Sequence, residues 1–345
     1  AGQLPLTVQS MDNCSHNGDK LFAAVNEFAS EWEKRGVCKQ GFLAYVNNKA
    51  KVSFPWTMID KITPRPDGKI EKILCDDGIE ELSPVITSKK TYVAPFVNAE
   101  ECQYLVIEDS FPNGRPALEK AGLYFTDRAT VDKVEKMKVC TCLNPLHTFL
   151  AVSGCLLGYT LIADEMKDED LLRLVKRLGY DEGLKVVVDP KIIHPKDFID
   201  EVVNIRIPNP FMPDTPQRIA CDTSQKLSIR FGETIKGYLS RSDLHISDLK
   251  VIPLVFALWL RYLMAINDNG EPFELSPDPL LEECKKYVEG ISLGSSDISA
   301  IEPLLCREDI FGVNLVKTGL SDSVKAYFRS LITKTGAVRA TIQSI

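Results

Sequence analysis

The sequence lacks the glycine-rich loops with which many nucleotide-binding folds hold phosphate groups. Neither G-x-G-x-x-G nor G-x-x-x-x-G-K-[ST] occurs in its 345 residues, so no phosphate-binding loop is visible. Its ten cysteines are scattered without a paired framework, which argues against a small disulfide-stabilised domain. In a chain of this length they are typical of reduced thiols in a cytosol, and we expect a cytoplasmic protein.

Excess positive charge and long apolar runs are also missing. Lys and Arg total 41 against 48 Asp and Glu, and the net charge of −7 includes no dense basic block. Nucleic acid and anionic membranes are therefore poor candidates for partners. The longest apolar run, residues 251–266, contains Pro253 and Arg261 and is too short to span a bilayer, so it predicts a buried helix. No secretory signal opens the chain.

The first third of the chain alternates short apolar runs with turns. The 3–4 spacing of apolar residues over 20–35 predicts an amphipathic helix. We also expect a buried strand over 6–11 ending at Asp12-Asn13 and a turn at Asn17-Gly18. Short strand or loop pieces are expected at 52–54 and 58–60, and mixed strand and loop over 70–95.

From about residue 132 the pattern becomes helical. Helices are predicted near 145–166, 168–178, 195–203, 224–240, 246–266 and 277–288, with more over 297–335. Gly154 and Gly158 lie four apart inside the first of these, which indicates a close helix contact. The length is typical of about two domains, so the pattern indicates the end of an α/β domain followed by an all-helical domain.

An amine, an amide and an imidazole lie close together in residues 138–147, Lys-Val-Cys-Thr-Cys-Leu-Asn-Pro-Leu-His. This set can move a proton on or off a hydroxyl while holding the oxygen that changes charge. Asn144 is a favoured helix N-cap and Pro145 suits the first helical position, so His147 is expected in the first turn of an apolar helix. The alternative is a capped core helix preceded by a solvated lysine, and the motif alone favours that alternative.

Two other polar positions could belong to a site. Asp12-Asn13 follows a predicted strand, and ligands bind at the carboxyl ends of strands in open α/β sheets. The alternative is a turn in which both side chains bond local backbone groups. Arg218 and Lys226 flank a polar loop, where they could hold a carboxylate or a polyhydroxyl substrate, or act as a solvated helix cap.

A zinc site is a weak candidate in this sequence. Cys140, Cys142 and His147 lie close together, but their spacing does not match common structural sites and no second ligand pair follows. We expect buried reduced cysteines here and no metal.

Six short groups of residues, spread in order along nearly the whole chain, carry a resemblance to a known family. They are 10–13 (Ser-Met-Asp-Asn) with Asn17-Gly18, 54–64 (Phe-Pro-Trp-Thr-Met-Ile-Asp-Lys-Ile-Thr-Pro), 106–116 (Val-Ile-Glu-Asp-Ser-Phe-Pro-Asn-Gly-Arg-Pro), 138–147 with Gly154 and Gly158, 222–226 (Asp-Thr-Ser-Gln-Lys) and 268–270 (Asp-Asn-Gly). Together they resemble the polyol-specific long-chain dehydrogenases, a family that includes mannitol 2-dehydrogenase, fructuronate reductase and tagaturonate reductase.

The resemblance implies the fold. In this family an N-terminal Rossmann-type domain binds NAD(H), and a C-terminal helical domain completes the active site. The family's glycine-rich loop lies well before the Asp-Asn motif, so this chain is expected to start after it. On this basis residues 1–130 are the C-terminal part of an α/β Rossmann-type domain, and residues 131–345 are a mainly α-helical catalytic domain of the mannitol dehydrogenase C-terminal type.

The resemblance also implies a metal-independent mechanism with a lysine as general acid/base. By matching position, Lys138 takes the hydroxyl proton as hydride passes to the nicotinamide. A lysine suits this role only when burial or nearby positive charge brings its pKa toward neutrality. Asn13 and Asn144 are expected to donate hydrogen bonds to the oxygen as charge develops, and His147 to orient the substrate.

The remaining roles concern the substrate's far end, the cofactor and exchange with water. Glu135 matches a family glutamate near the lysine and is expected to assist proton exchange. Arg218 and Lys226 are expected to contact the distal hydroxyls or carboxylate of the substrate. Asn13, Ile59 and Asp60 match positions beside the cofactor.

One departure concerns the spacing in the catalytic stretch. The family's usual spacing has four residues between the lysine and the asparagine, whereas five separate Lys138 from Asn144 here. Strict counting would put Val139 at the lysine position. One extra helical residue rotates a side chain by about 100°, and a π-bulge could absorb it. We predict that Lys138 still points at the substrate. Asn-Pro-Leu-His also replaces the usual Asn-Gly-Ser-His, so the resemblance does not determine the substrate specificity.

Three functions remain open on the sequence. The first is NAD-dependent interconversion of a keto-hexuronate and an aldonate, of the D-fructuronate and D-mannonate type, which the wording of residues 224–227 favours weakly. The second is a polyol-to-ketose oxidoreductase like mannitol 2-dehydrogenase. The third is a non-catalytic paralogue or fragment that binds a sugar acid or a protein. The first two imply a small sugar acid or polyol as the partner.

Overall fold

The computed structural model describes residues 2–61, 63, 66–101, 104–212 and 214–345. The strands are β1 (Leu6–Thr7), β2 (Val52–Ser53), β3 (Thr57–Asp60), β4 (Val85–Ile86), β5 (Tyr92–Val93), β6 (Tyr104–Glu108) and β7 (Tyr124–Thr126). The helices are α1 (Asn17–Lys34), α2 (Phe42–Val46), α3 (Gly68–Asp76), α4 (Arg128–Met137), α5 (Asn144–Leu157), α6 (Ile162–Glu165), α7 (Glu169–Lys176), α8 (Pro195–Glu201), α9 (Pro216–Ile219), α10 (Thr223–Leu227), α11 (Glu233–Leu239), α12 (Val251–Leu263), α13 (Leu281–Lys285), α14 (Glu302–Leu305), α15 (Glu308–Phe311), α16 (Ser321–Leu331) and α17 (Ala337–Gln343).

The first compact unit is the more strand-rich part. It comprises Ala1–Ile62, Glu100–Lys136 and Val188–His194. Its sheet has the order β3-β6-β7, with β3 antiparallel and β7 parallel to β6. The predicted amphipathic helix over 20–35 is confirmed as α1, which buries Ala29 against a small apolar core. The pieces at 52–54 and 58–60, for which strand or loop was expected, contain the strands β2 and β3.

Two predictions in this unit are wrong. The strand predicted over 6–11 covers only Leu6–Thr7, pairs in parallel with β2 alone among the described residues, and leaves Leu6 46% exposed. Asn17-Gly18 is not a turn, because these residues begin α1. A Cβ on Gly18 would lie 2.5 Å from the Phe54 carbonyl oxygen, so glycine permits the helix to approach that loop closely.

The second compact unit is built around two apolar helices. It comprises Thr63–Ala99, Met137–Val187 and Pro195–Ile345. Every residue of α12 is buried, as the apolar run over 251–266 predicted, and α12 packs against α5 and α16. The helical run Arg128–Leu157 is long and apolar enough to cross a membrane by length and composition. Most of its apolar window is buried inside the fold, which is the pattern of a core helix.

Wide helical turns interrupt several helices of the second unit. π-helical turns occur at Lys138–Cys142, Arg177–Gly183, Val202–Arg206 and Ser228–Gly232. The turn at 138–142 packs against those at 177–183 and 228–232. A π-turn widens the helix and leaves room between neighbouring elements, and such turns are frequent at functional sites.

Three predictions in the second unit need correction. Residues 68–76 form α3 rather than strand and loop, because Asp67 accepts hydrogen bonds from the backbone N–H groups of Lys69 and Ile70 and caps the helix. The helix predicted over 145–166 ends at Leu157, because Gly158 takes φ 78° and caps it. The helix predicted over 277–288 is confirmed only over 281–285.

Glu165 explains why glycine occupies position 154. A Cβ on Gly154 would lie 2.3 Å from Glu165 Oε1, so the contact made by this glycine is with a side chain rather than with a second helix backbone. Glu165 is fully buried, and neither of its oxygens has a hydrogen-bond partner among the residues that the structure describes. Burial raises the pKa of this carboxyl well above its usual value, and the charge of Asp168 adds to the effect. Burial therefore favours the protonated, neutral form of Glu165, which packs against α5.

Candidate functional site

The π-turn at 138–142 positions Lys138. The Leu143 N–H donates to the Lys138 carbonyl over 3.1 Å, five residues back, so one extra residue is accommodated before α5 begins. This is the bulge that the spacing called for. Lys138 is 4% exposed and Thr141 Oγ1 donates to the Met137 carbonyl, so the turn is held within the core. That Lys138 points at the substrate stays a prediction.

The first turn of α5 carries the predicted amide and imidazole. Its N-cap is Leu143, which has no side-chain cap bond, so the expectation that Asn144 caps the helix is wrong by one residue. As a result the Asn144 carboxamide is not used for capping, and it makes no side-chain hydrogen bond within the described parts of the chain. His147 lies three residues on and therefore on the same helix face. Both side chains are half-buried.

His147 is held as a neutral imidazole. Burial lowers its pKa to about 4. The guanidinium groups of Arg230, Arg206 and Arg218 act in the same direction, and Asp214 opposes them. A neutral imidazole has one donor and one acceptor nitrogen, so it can orient a hydroxyl without changing charge near neutral pH.

Arg218 and Lys226 already have partners inside the protein. Arg218 Nε donates to Asp214 Oδ1 over 2.6 Å, and the Arg218 side chain is 64% exposed. Lys226 Nζ donates to the Ile219 carbonyl over 3.3 Å and also to the Cys221 carbonyl. Burial and the nearby Arg230 lower the pKa of Lys226. Their predicted roles in substrate binding stay predictions.

Arg230 belongs to the same group of residues, and the sequence motifs did not identify it. It lies in the π-turn at 228–232, which packs against the π-turn of Lys138. Arg230 Nη1 donates to Thr148 Oγ1 over 2.5 Å, and Thr148 Oγ1 donates to the Asn144 carbonyl over 2.9 Å. The available signal was its position four residues after Lys226, which puts the two cations on one helix face.

The loop that carries Asp12 and Asn13 is fastened by a buried amide. Asn17 Nδ2 donates to the Asp12 carbonyl over 2.9 Å and to Thr57 Oγ1 over 2.6 Å. Its Oδ1 accepts from the Thr57 N–H over 3.0 Å, and Thr57 Oγ1 donates to the Ser10 carbonyl. Asn17 therefore ties this loop to β3, which gives the Asn-Gly motif a structural role.

The other predicted residues lie in the first unit. Asn13 is exposed in the loop before α1, and Glu135 is half-buried on α4. Ile59 and Asp60 pair with Leu105 and Tyr104 across β3 and β6, and Asp60 is 4% exposed. Their predicted roles are not tested by these positions. Two residues of the 54–64 motif, Ile62 and Pro64, lie outside the described residues.

Charged residues of the 106–116 motif form ion pairs and hydrogen bonds within the first unit. Arg115 donates to both oxygens of Asp109 over 2.8 and 2.9 Å, and its guanidinium lies 3.5 Å from the Phe125 ring centroid. Glu108 accepts from the Trp56 N–H and from Arg128. The Arg115 bond lowers the pKa of Asp109. Glu108, Asp109 and Arg115 are therefore bound to partners within the protein.

The motifs at 222–226 and 268–270 likewise have structural partners. Ser224 donates to Asp278, and Asp222 takes φ 53° at the start of α10. Asp268 accepts from the Val338 and Arg339 N–H groups and so caps α17. In the part of the chain that the structure describes, no group of three or more His, Cys, Asp or Glu is arranged to hold a metal ion. The nine cysteines in that part are free thiols.

The sequence matches the model of a known protein family over most of the second unit. Residues 130–331 match the mannitol dehydrogenase C-terminal domain. The chain belongs to this mannitol dehydrogenase family, as the ordered motifs predicted.

The chain is also similar to individual proteins of this family. The chain is 53% identical to the D-mannonate oxidoreductase of Thermotoga maritima, over all of this chain and 64% of that protein. It is 29% identical to mannitol dehydrogenase DSF1 of Saccharomyces cerevisiae, over 82% of this chain and 51% of that protein. The mannitol 2-dehydrogenase of Pseudomonas fluorescens, solved as a ternary complex with NAD and D-mannitol, aligns with TM-score 0.72 and 28% identity over 99% of this chain and 62% of that one.

The chain therefore spans less than two thirds of the length of these relatives. The likeness to the Pseudomonas enzyme gives it an α/β fold with substantial helical content.

Proposed function

We propose that this chain is part of an NAD(H)-dependent oxidoreductase that interconverts a keto-hexuronate and an aldonate, of the D-fructuronate and D-mannonate type. The observation that carries the proposal is the first turn of α5. There the Asn144 carboxamide and the neutral His147 imidazole share one helix face directly after the π-turn of Lys138. The name of the Thermotoga maritima relative supports the substrate, and the NAD bound to the Pseudomonas enzyme supports the cofactor.

The proposal includes a domain assignment. Residues 1–130 would be the remainder of a Rossmann-type domain, and residues 131–345 the helical catalytic domain. The parallel pairs β1-β2 and β6-β7 and the family match from residue 130 support this division. Because the sequence has no glycine-rich phosphate loop, Asn13, Ile59 and Asp60 would hold only a part of the cofactor.

The bound nicotinamide would supply or accept the hydride. In the reducing direction, Lys138 donates a proton to the carbonyl oxygen; in the oxidising direction it takes the hydroxyl proton. Asn144, whose amide is not used in capping, donates a hydrogen bond to that oxygen as negative charge develops. His147 orients a neighbouring hydroxyl. Glu135 would exchange the lysine's proton with water, Asn13 would assist Asn144, and Arg218 and Lys226 would contact the far end of the substrate.

The test is NADH oxidation by the full-length protein, offered D-fructuronate, D-tagaturonate and D-fructose in parallel. We expect turnover that strongly favours one uronate. Preference for D-fructose would support the polyol alternative, which the names of the yeast and Pseudomonas relatives favour. No turnover with any of the three, despite NADH binding, would contradict the proposal and favour the non-catalytic alternative.

Replacing Lys138 tests the mechanism. We expect Lys138→Met to lower kcat by about 10³-fold with the preferred uronate, because a positioned general acid/base contributes about that much. NADH binding should be unchanged. Lys136→Met is the matched control, since Lys136 lies on the same helical run but is exposed and paired with Asp132. A Lys138→Met enzyme within a few-fold of wild type would remove the lysine from the mechanism.

A further inference from the structure

Arg230 is a half-buried cation with one hydrogen bond. Nη1 donates to Thr148 Oγ1, and no other hydrogen bond or ion pair of this guanidinium joins it to another described residue. Arginine carries five N–H donors in a rigid planar fork. Most of these donors are therefore unused inside the protein, although burial is strong enough to lower the pKa of Arg230 to about 10.

Neighbouring cations differ from Arg230 in this respect. Arg218 is exposed and neutralised by Asp214, and Lys226 is occupied by two backbone carbonyls. Of these three residues, Arg230 is the one that combines partial burial with N–H donors most of which have no partner among the described residues. An unpaired charge in such a place costs free energy unless a ligand supplies the opposite charge.

Hydrogen bonds connect Arg230 to residues 138–147, the proposed catalytic segment. Thr148 holds one edge of the guanidinium and in turn bonds the Asn144 carbonyl, so the fork has a fixed orientation relative to the first turn of α5. Arg230 is close enough to His147 and Lys226 to lower the pKa of both. Arg230, His147 and Lys226 therefore lie near one another within the second unit.

We propose that Arg230 binds the substrate's carboxylate and so selects a sugar acid over a neutral polyol or ketose. This inference rests on the proposed function and specifies its substrate class. A guanidinium fork fits a carboxylate with two parallel hydrogen bonds, which a neutral hydroxymethyl group cannot replace. A neutral substrate would leave the buried guanidinium without a counterion, and unpaired buried groups are an effective basis for rejecting a substrate.

The experiment compares binding of D-mannonate and D-mannitol to the full-length protein with NADH present. In Arg230→Gln we expect the Kd for D-mannonate to rise by about 10- to 100-fold, the usual effect of removing a hydrogen bond to a charged group. The Kd for D-mannitol should change little. Steady-state kinetics with D-fructuronate should show the loss mainly in KM. Arg230→Lys keeps the charge but not the fork, so it should recover only part of the affinity.

Lys236→Gln is the matched control, because Lys236 lies one to two turns further on in α11 and forms an exposed ion pair with Glu233. Equal weakening of D-mannonate and D-mannitol in both Arg230 variants would show a merely structural role and overturn the proposal. If Arg230→Gln does not fold, Thr148→Val removes the hydrogen bond that orients the fork and should show the same selective loss.

The two levels of the proposal fail differently. Wild-type protein that turns over D-fructuronate, together with an unselective Arg230→Gln, contradicts the role of Arg230 alone. Wild-type protein that accepts no uronate but reduces D-fructose contradicts the proposed function, and the role of Arg230 falls with it.

Discussion

At the scale of single residues, burial shifts the pKa of several side chains more than their neighbours along the chain do. His147 is the best example at the catalytic segment. Its depressed pKa means that the folded protein prefers the neutral imidazole, so its stabilising contribution is present above the ordinary pKa of about 6.5. That contribution is lost as pH falls through about 4. Over the range in which enzymes usually work, His147 should therefore not titrate.

A pH profile tests this neutral state. We expect His147→Asn to lower kcat/KM by about 10-fold or more, because a hydrogen bond that orients the substrate is lost. The shape of the profile between about pH 5.5 and 8 should be the same as in wild type, since the imidazole remains uncharged there. An acidic limb near pH 6.5 that disappears in His147→Asn would contradict the assignment.

Glu165 gives the opposite dependence of stability on pH. Its folded pKa is raised above the unfolded value of 4.5, so the folded state retains the proton. Its contribution is fully present below pH 4.5 and is lost as pH rises through the folded pKa. Glu165→Gln replaces the neutral acid with a neutral amide of the same shape, and should be more stable than wild type above pH 4.5.

The difference should grow by at most about 1.4 kcal/mol per pH unit until the folded pKa is passed. Thermal unfolding midpoints of both proteins between pH 4.5 and 8 measure it. Glu289→Gln changes an exposed carboxylate and serves as the control. A constant difference across the range would show that Glu165 is ionised in the folded protein.

At the scale of elements, the π-turns set the positions of Lys138 and Arg230, the two residues that we propose act on the substrate. The turn at 138–142 absorbs one residue between Lys138 and Asn144, and it packs against the turn that carries Arg230. If this turn keeps the lysine in the family's place, then deleting Val139 restores the usual spacing. We expect that variant to retain kcat within about tenfold of wild type, because an α-turn can replace the π-turn.

Inserting an alanine after Val139 should have the larger effect. A further residue rotates the preceding side chain by about 100°, so we expect kcat to fall by about 10²-fold or more while NADH binding persists. Parallel kinetics of the two variants make the comparison. Equal activity of the insertion variant and wild type would show that the register of this helix does not position Lys138.

For the whole molecule, the sequence predicted most where local pattern and burial agree. The 3–4 spacing located α1, and the apolar run located α12. Asp67-Gly68 was interpreted as a turn, but the same residue types also begin helices. In the structure Asp67 accepts hydrogen bonds from the N–H groups of Lys69 and Ile70 and caps α3. Family motifs located Lys138, Asn144 and His147 in the chain, but local sequence could not show which of their side chains have partners.

The family motifs did not include Arg230, and its hydrogen bond to Thr148 could not be inferred from local sequence because the two residues are 82 apart. The structural role of Asn17 was missed for the same reason, since its hydrogen bonds join it to Thr57, 40 residues away in sequence. The ordered motifs mixed residues with two different tasks. Asn17, Arg115 and Asp268 hold the fold together through hydrogen bonds within the protein, whereas Asn144 and His147 keep their polar groups available.

The widened turn before α5 also has a meaning for how such sequences diverge. A helix that can take in one residue by locally changing its winding tolerates an insertion that would otherwise rotate Lys138 away from its proposed position. On this basis the gene could change between four and five intervening residues without passing through an inactive intermediate. We therefore expect lineages within the family to differ in this count, and a pattern with a fixed interval between lysine and asparagine would miss those, like this chain, that have five intervening residues.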